Sequence, residues 1–160
     1  MRIGVTGHIN LTENTARLIA DALAEHLAGI APTGLVGLSC LAPGADALFA
    51  RAILERGGAL EVVLPSPAYR RTRVGPDYAA EFDRLLARAA EVRVMPYEVA
   101  DREAYEAANN ALLDACDRLV AVWDGLPSED RGGTAAVVAD AGTRGLAVTV
   151  LWPRGAERAA

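Results

Sequence analysis

Short apolar runs alternate along the chain with longer segments in which apolar residues recur at helical spacing. The apolar runs predict strands at residues 2–6, 35–41, 59–65, 91–96, 117–124 and 146–153. The predicted helices lie at about 11–30, 43–58, 78–90, 101–115 and from a glycine-rich turn to about 144, and residues 66–80 are predicted to form a loop. Asn10 with Glu13 three positions later resembles a capping box, so we expect the first helix to begin near residue 11.

This order of elements predicts the fold class. Apolar strands that alternate with helices are typical of a parallel sheet covered on both faces, so we expect an α/β, doubly wound, mainly parallel sheet in three layers. Residues 1–160 contain no repeat, linker or low-complexity segment, and we take them as one domain with no attached effector domain. In such folds, ligands bind at the carboxyl ends of the strands, where the strand order reverses.

Candidate ligand-binding residues follow four of the predicted strands. They are Gly7 and His8 after the first strand, Gly44 and Asp46 after the second, Tyr69 with Arg70, Arg71 and Arg73 after the third, and Asp124 after the fifth. Each has a structural alternative: the glycines could form tight turns, Asp46 could cap its helix, and Asp124 could serve only as a turn residue. Likewise, Tyr69 either stacks on a base or covers the edge of the core, and the arginines either bind a phosphate or are solvated.

The stretch DRGGTAA, residues 130–136, carries the strongest of these signals. Two adjacent glycines, Gly132 and Gly133, permit positive φ and close backbone approach, and Thr134 adds a hydroxyl where a polar loop enters a helix-forming segment. A helix start offers unpaired N–H groups and the positive end of the helix dipole. We therefore predict that these three residues bind a phosphate.

Composition and charge exclude several other kinds of chemistry. All 16 basic residues are arginine, so neither a GxxxxGK[ST] phosphate loop nor a Schiff-base lysine is possible. A GxGxxG fingerprint is absent and the two histidines, His8 and His26, show no ligand spacing, so we expect no metal and no other cofactor. A formal charge of -5 argues against general nucleic-acid binding. Without a secretory signal or an apolar run long enough for a bilayer, we expect a cytoplasmic protein with no membrane partner.

Five segments together resemble the SLOG superfamily of Rossmann-like nucleotide binders, which includes lonely-guy-type phosphoribohydrolases, DNA-processing protein A and molybdenum-cofactor carrier proteins. The segments are VTGH, SCLAPGADALFA, VVLP, AYEAANNALLDACDRLVAVWDG and RGGTAAVV, and they span nearly the whole chain in order. The resemblance implies a Rossmann-like fold and possible dimerisation, although the sequence shows no distinct interface. It also implies that Gly7 and His8 line the first loop, that Gly44 and Asp46 face the ligand, and that residues 132–134 hold its phosphate.

One departure from the family pattern bears on activity. The phosphoribohydrolases carry PGGxGTxxE, whose glutamate takes part in cleaving the N-glycosidic bond, and Val137 stands in its place here. Our main hypothesis is therefore a sensor or carrier of a nucleotide or nucleotide-derived small molecule. The alternative is an N-glycosidase or nucleoside 2-deoxyribosyltransferase acting on a nucleoside monophosphate, with Asp46, Asp124 or Asp140 as acid, base or nucleophile. A third hypothesis is an interaction module whose glycine turns are only structural.

Overall fold

The computed structural model describes residues 1–127 and 133–159. Within these ranges, six strands form one sheet in which every neighbouring pair is parallel. The strands are β1 (Arg2–Gly7), β2 (Val36–Ser39), β3 (Ala59–Leu64), β4 (Glu91–Val94), β5 (Arg118–Val122) and β6 (Ala147–Val150). They pair in the order β4-β3-β2-β1-β5-β6.

Helices cover both faces of this sheet. Those of the described residues are α1 (Glu13–Ala28), α2 (Ala45–Arg56), α3 (Tyr69–Arg73), α4 (Pro76–Ala87), α5 (Arg102–Ala115) and α6 (Thr134–Thr143). One face packs on α1, α2 and α4, and the opposite face packs on α5 and α6. Strand β5 contributes side chains to both faces, since Leu119 packs on the α5 and α6 side while Val120 and Val122 pack on the α1 and α2 side. The predicted three-layer, doubly wound fold is confirmed.

The strand order reverses between β1 and β5. From β1 the chain adds β2, β3 and β4 outwards in one direction, and it then returns to the other side of β1, where it adds β5 and β6. Where connections leave two neighbouring strands in opposite directions, a crevice opens at the carboxyl ends of those strands. The loops that follow β1 and β5 border this crevice.

The first helix begins later than predicted, and another residue caps it. Thr12 is the N-cap of α1, and its Oγ1 accepts a hydrogen bond from the Thr15 N–H at 3.1 Å. Asn10 instead pairs with Ala159, whose N–H donates to the Asn10 carbonyl at 2.7 Å and whose carbonyl accepts from the Asn10 amide at 3.3 Å. The capping-box interpretation of Asn10 was therefore wrong, because a distant segment occupies this residue.

Residues 66–80 are largely helical where we predicted a loop. Tyr69 begins α3 and Pro76 begins α4. Tyr69 is 3% exposed and its ring lies 5.9 Å from that of Phe82, so a buried aromatic side chain holds this polar segment against the sheet. The other predicted strands and helices are present, with boundaries that differ by a few residues. No helix in the described ranges is long and apolar enough to cross a membrane.

Candidate functional site

A cavity of about 620 Å³ lies at the carboxyl edge of the sheet, where the strand order reverses. Its volume is in the range of sites that hold small molecules and cofactors. The residues that line it come from the end of β1 and the loop behind it, the start of α2, helices α3 and α5, the start of α6 and the C-terminal segment. Six residues singled out by the sequence line it: Gly7, His8, Asp46, Tyr69, Gly133 and Thr134.

Among the described residues, Asp46 is the only carboxylate that lines the cavity. It lies in the first turn of α2 and is 7% exposed. Its Oδ2 accepts a hydrogen bond from the Ala42 N–H at 3.2 Å, so it holds the preceding loop, while Gly44 is the N-cap of α2 and makes no side-chain cap. Burial raises the pKa of Asp46 to about 7, and the Ala42 N–H opposes this shift. The carboxyl group can therefore gain or lose a proton near neutral pH.

Tyr69 and Tyr105 form an aromatic wall of the cavity. Their rings meet edge to face with a centroid distance of 6.2 Å. Because Tyr69 is almost fully buried and also packs on Phe82, most of its ring covers the core, which is the structural alternative considered for it. Tyr105 is half-buried and lies one helical turn before Asn109, which also lines the cavity. The wall thus combines aromatic surface with hydroxyl and amide groups.

The start of α6 borders the cavity through Gly133 and Thr134. Gly133 is the N-cap, and its φ of -75° and ψ of 172° are open to any residue, so positive φ is not the reason for glycine there. Gly132, the first residue of the predicted phosphate loop, lies outside the described residues. Val137 lines the cavity one turn further along and is 7% exposed, so it brings an apolar side chain to this part of the lining.

His8, Asp124 and Arg158 form a polar cluster beside the cavity. Nε2 of His8 lies 3.3 Å from Oδ1 of Asp124, and Nε of Arg158 lies 2.9 Å from its Oδ2. Burial lowers the pKa of His8, and the nearby Asp124 carboxylate opposes this shift. Burial alone would raise the pKa of Asp124, but the Leu126 N–H, His8 and Arg158 together lower it. Asp124 therefore stays ionised at neutral pH and holds the side chains of His8 and Arg158 in place.

Of these three residues, His8 and Arg158 line the cavity and Asp124 stands behind them. Oδ1 of Asp124 accepts a hydrogen bond from the Leu126 N–H at 3.0 Å, as in an Asx turn. The ring of His8 also meets that of Trp152 edge to face at 5.5 Å. The position of Asp124 thus fits the structural alternative considered for it, a turn residue, with an added ion pair.

Gly7 and Gly44 let β1, β5 and the start of α2 approach one another closely. A Cβ at Gly7 would lie 2.5 Å from the Cβ of Ala45 and 2.8 Å from that of Val122. Gly44 has φ of +79°, and a Cβ there would lie 2.7 Å from the His8 carbonyl oxygen. The Ala45 N–H donates to the same oxygen at 3.1 Å. Gly7 lines the cavity, whereas Gly44 is a packing position behind it.

Arg70 and Asp140, two further candidates, lie away from the cavity lining. Arg70 makes a two-point ion pair with Asp83, with Nε to Oδ1 at 2.8 Å and Nη2 to Oδ2 at 2.9 Å. Asp140 lies on α6, with its Oδ2 3.6 Å from Nη2 of Arg144. Since both charged groups have other partners, we leave them out of the proposed site.

Arg158 is the cavity residue that sequence reasoning missed most clearly. It reaches the cavity because Leu11 and Arg158 form an antiparallel bridge, which draws the C-terminal segment across the loop behind β1. Nothing in the local sequence GAERAA separates it from a surface arginine. Tyr105 and Asn109 carried a weak signal, since they are polar residues four positions apart in an otherwise amphipathic helix.

No family model matches the chain, and no curated protein matches its sequence. Solved structures match its fold. DNA processing protein A from Helicobacter pylori aligns with a TM-score of 0.70 at 18% identity, covering 99% of this chain and 68% of that one. DNA processing protein A from Streptococcus pneumoniae aligns with a TM-score of 0.68 at 17% identity over 96% of this chain, which spans 51% of the length of that protein. The molybdenum-cofactor carrier protein of Chlamydomonas reinhardtii aligns with a TM-score of 0.58 at 24% identity, covering 94% of this chain and 75% of that one.

These matches define the class of fold. Both kinds of protein belong to the SLOG superfamily, and this chain shares their Rossmann-like fold, so the fold that the resemblance implied is confirmed. The Helicobacter pylori protein is described as binding single-stranded DNA, and the Chlamydomonas reinhardtii protein as carrying the molybdenum cofactor. The same fold thus serves two kinds of ligand, so the ligand of this chain has to be argued from its own cavity.

Proposed function

We propose that this chain binds a nucleotide or nucleotide-derived small molecule at the carboxyl edge of its sheet and acts as a sensor or carrier. The observation that carries the proposal is the cavity at the strand-order reversal, where a helix start and an aromatic wall face the same space. Molybdenum-cofactor carriers share the fold, which supports a small-molecule carrier. Single-stranded DNA binding by the Helicobacter pylori protein makes an oligonucleotide the competing ligand, although the formal charge of -5 disfavours it.

The two ends of the cavity suit the two ends of such a ligand. The phosphate would lie at the start of α6, where Thr134 supplies a hydroxyl and the helix supplies its positive dipole end. The ring would lie against Tyr105, with Asn109 and Asp46 available for hydrogen bonds to its polar edge. Both interactions use neutral or backbone groups and require neither lysine nor a metal ion.

Two of the three candidate carboxylates, Asp124 and Asp140, favour binding over catalysis. Asp124 is held in an ion pair and Asp140 lies on the outside of α6, so neither reaches the cavity. Val137 brings only apolar atoms to the position of the glutamate in similar phosphoribohydrolases. An apolar side chain there can neither transfer a proton nor stabilise an oxocarbenium-like centre.

A thermal-shift screen of the full chain tests the proposal. The probes are nucleoside mono-, di- and triphosphates, cyclic nucleotides, ADP-ribose and a single-stranded DNA oligonucleotide, and each mixture is then separated by chromatography. We expect at least one nucleotide to raise the unfolding temperature by about 5 °C at roughly 100 times its Kd and to be recovered intact. A shift with the oligonucleotide alone would favour nucleic acid, and no shift with any probe would favour the interaction module.

The placing of the phosphate is tested by paired threonine variants. Thr134→Val removes a hydroxyl from the cavity and keeps the shape of the side chain, while Thr143→Val makes the same change at the other end of α6. We expect Thr134→Val to weaken binding of a nucleoside monophosphate by about tenfold in calorimetric titration, and Thr143→Val to leave it unchanged. Equal affinities for the two variants would contradict the phosphate site at α6.

Asp46 favours a second candidate, an N-glycosidase or nucleoside 2-deoxyribosyltransferase acting on a nucleoside monophosphate. A buried carboxyl group that lines the cavity and has a pKa of about 7 is suited to general acid or base catalysis. In that case the chromatography shows free base and ribose phosphate in place of the intact nucleotide. Asp46→Asn should then abolish turnover while Asp140→Asn retains it, whereas recovery of intact nucleotide from the wild type favours the sensor or carrier.

A further inference from the structure

We propose that Arg158 binds the phosphate group of the ligand and that Asp124 positions its guanidinium, which makes residues 155–159 part of the binding site. This inference rests on the proposed function. It goes beyond that function by assigning the cation of the site to a segment about 25 residues away in sequence from the glycine turn. It also explains why the side chains of His8, Asp124 and Arg158 lie together.

The backbone around Arg158 is held in place by bonds to the loop behind β1. The Ala159 N–H donates to the Asn10 carbonyl at 2.7 Å, and the Glu157 N–H donates to Oγ1 of Thr15 at 2.8 Å. These bonds flank Arg158 on both sides and join segments more than 140 residues apart in sequence. Arg158 therefore projects from an anchored backbone, and little conformational freedom would be lost when it binds a ligand.

The side chain of Arg158 presents a free edge to the cavity. It lines the cavity and is 40% exposed, and its Nε lies 2.9 Å from Oδ2 of Asp124. In the described ranges, no hydrogen-bond partner is found for the two terminal nitrogens. An arginine held through Nε can still offer its outer N–H groups to two oxygens of a phosphate.

Asp124 is built to hold that arginine. Its side chain is 12% exposed, and the Leu126 N–H and Nε2 of His8 both lie against the carboxylate on the side of Oδ1. Oδ2 is therefore left to face Arg158. A carboxylate so fixed sets the direction of the guanidinium, as a residue behind a binding group does in pre-organised sites.

Two separate sources of positive potential then face one space. The start of α6 contributes its dipole through Gly133 and Thr134, and Arg158 contributes a charge. Of the arginines in the described ranges, Arg158 alone lines the cavity. In a chain with a formal charge of -5, the placing of one arginine there indicates an anionic ligand group.

A pair of arginine variants tests this assignment. Arg158→Gln removes the charge from the cavity, and Arg154→Gln removes the same charge at an exposed position four residues earlier in the chain. Calorimetric titration of the full chain gives Kd for the nucleoside 5′-monophosphates and for the matching nucleosides. We expect Arg158→Gln to weaken monophosphate binding about tenfold or more and to leave nucleoside binding unchanged, while Arg154→Gln changes neither.

Arg158→Lys and Asp124→Asn separate binding from positioning. Arg158→Lys keeps the charge and loses the two-point geometry, so a smaller loss of monophosphate affinity is expected than for Arg158→Gln. Asp124→Asn should also weaken binding of the monophosphate and leave binding of the nucleoside unchanged, because it releases the guanidinium of Arg158. The unfolding temperature without ligand checks that each variant is folded, and Arg158→Lys replaces Arg158→Gln if the latter does not fold.

The outcomes distinguish this inference from the proposed function. Suppose that the wild type binds a monophosphate. If the Arg158→Gln variant binds the monophosphate equally well, or loses the same affinity for monophosphate and nucleoside, Arg158 does not bind the phosphate. Equal weakening by Arg158→Gln and Arg154→Gln would also overturn the assignment, since it would reflect only net charge. If the wild type binds no monophosphate, the proposed function itself fails.

Discussion

Asp46 and Asp124 both follow strands of one sheet and lie near the same cavity, but their surroundings act on them in opposite directions. Asp46 is 7% exposed and accepts one described hydrogen bond to its side chain, and burial raises its pKa to about 7. Around Asp124, the Leu126 N–H, His8 and Arg158 outweigh the effect of burial, and they lower its pKa. The side of the cavity near α2 therefore carries a carboxyl group that can be neutral, and the β5 side carries the ion pair between Asp124 and Arg158.

The difference shows that a ligand would meet two distinct environments. The α2 side, with the Tyr69–Tyr105 wall and the buried Asp46, suits a ring with polar atoms at its edge. The β5 side, with Arg158 and the start of α6, suits an anion. Carboxylates with separated pKa values often mark the division of roles in a site.

Gly7 joins the two regions, and its substitution should have the largest effect on stability. A Cβ at this position would overlap Ala45 on the α2 side and Val122 on the β5 side, at 2.5 and 2.8 Å. We expect Gly7→Ala to lower the free energy of unfolding by about 3 kcal/mol in urea denaturation. Gly142→Ala is the control, because nothing lies within 4 Å of its added Cβ, and it should raise stability by about 0.5 kcal/mol. Equal midpoints for the two variants would contradict the close approach at Gly7.

Asp46→Asn should stabilise the protein and so probes the α2 side. The folded state holds a proton on Asp46 up to about pH 7, whereas the unfolded chain loses it near pH 4. The contribution of this group to stability therefore falls as pH rises between those values. We expect Asp46→Asn to raise the free energy of unfolding by on the order of 2 kcal/mol at pH 8 and by little at pH 4. A gain in the free energy of unfolding that does not depend on pH would contradict the raised pKa of Asp46.

Asp124→Asn should lower the free energy of unfolding, and by less than Asp46→Asn raises it. Because its pKa is lowered in the folded state, the contribution of Asp124 is present above the unfolded pKa of about 3.9 and is lost as pH falls through the folded value. We expect Asp124→Asn to reduce the free energy of unfolding by about 1 kcal/mol at pH 7, with the difference disappearing in strong acid. If both aspartate variants changed stability in the same direction, the contrast between the two regions would be wrong.

The fold could be predicted because it depends on local patterns that repeat along the chain. Most strands are short apolar runs and each main helix has an apolar face, so a covered parallel sheet follows from their alternation. The position of the cavity follows as well, because the loops behind parallel strands meet at one edge. The short helix α3 was missed because its cause is not local: Tyr69 is held by Phe82 of α4.

The roles of the site residues could not be predicted in the same way, since each depends on a partner distant in sequence. Asp46 and Asp124 look alike in sequence, and only tertiary packing decides which one is buried and which one is paired. Asn10 was predicted to cap a helix and instead binds Ala159, which belongs to the segment that brings Arg158 to the cavity. A single sequence contains no local signal for such a return of the chain.

Arg70→Gln should have the smallest effect on ligand binding. It tests whether α3 contributes to the binding site in addition to the α2 and β5 sides of the cavity. Arg70 follows β3 as Asp46 follows β2, but its guanidinium is occupied by Asp83 and lies away from the cavity lining. We expect Arg70→Gln to leave the thermal shift produced by a nucleoside monophosphate unchanged, while Arg158→Gln reduces it. A loss comparable to that of Arg158→Gln would mean that the pair with Asp83 opens when ligand binds and that α3 contributes to the anion site. An unchanged shift would leave the anion to the β5 side alone, where Asp124 holds Arg158 beside the start of α6.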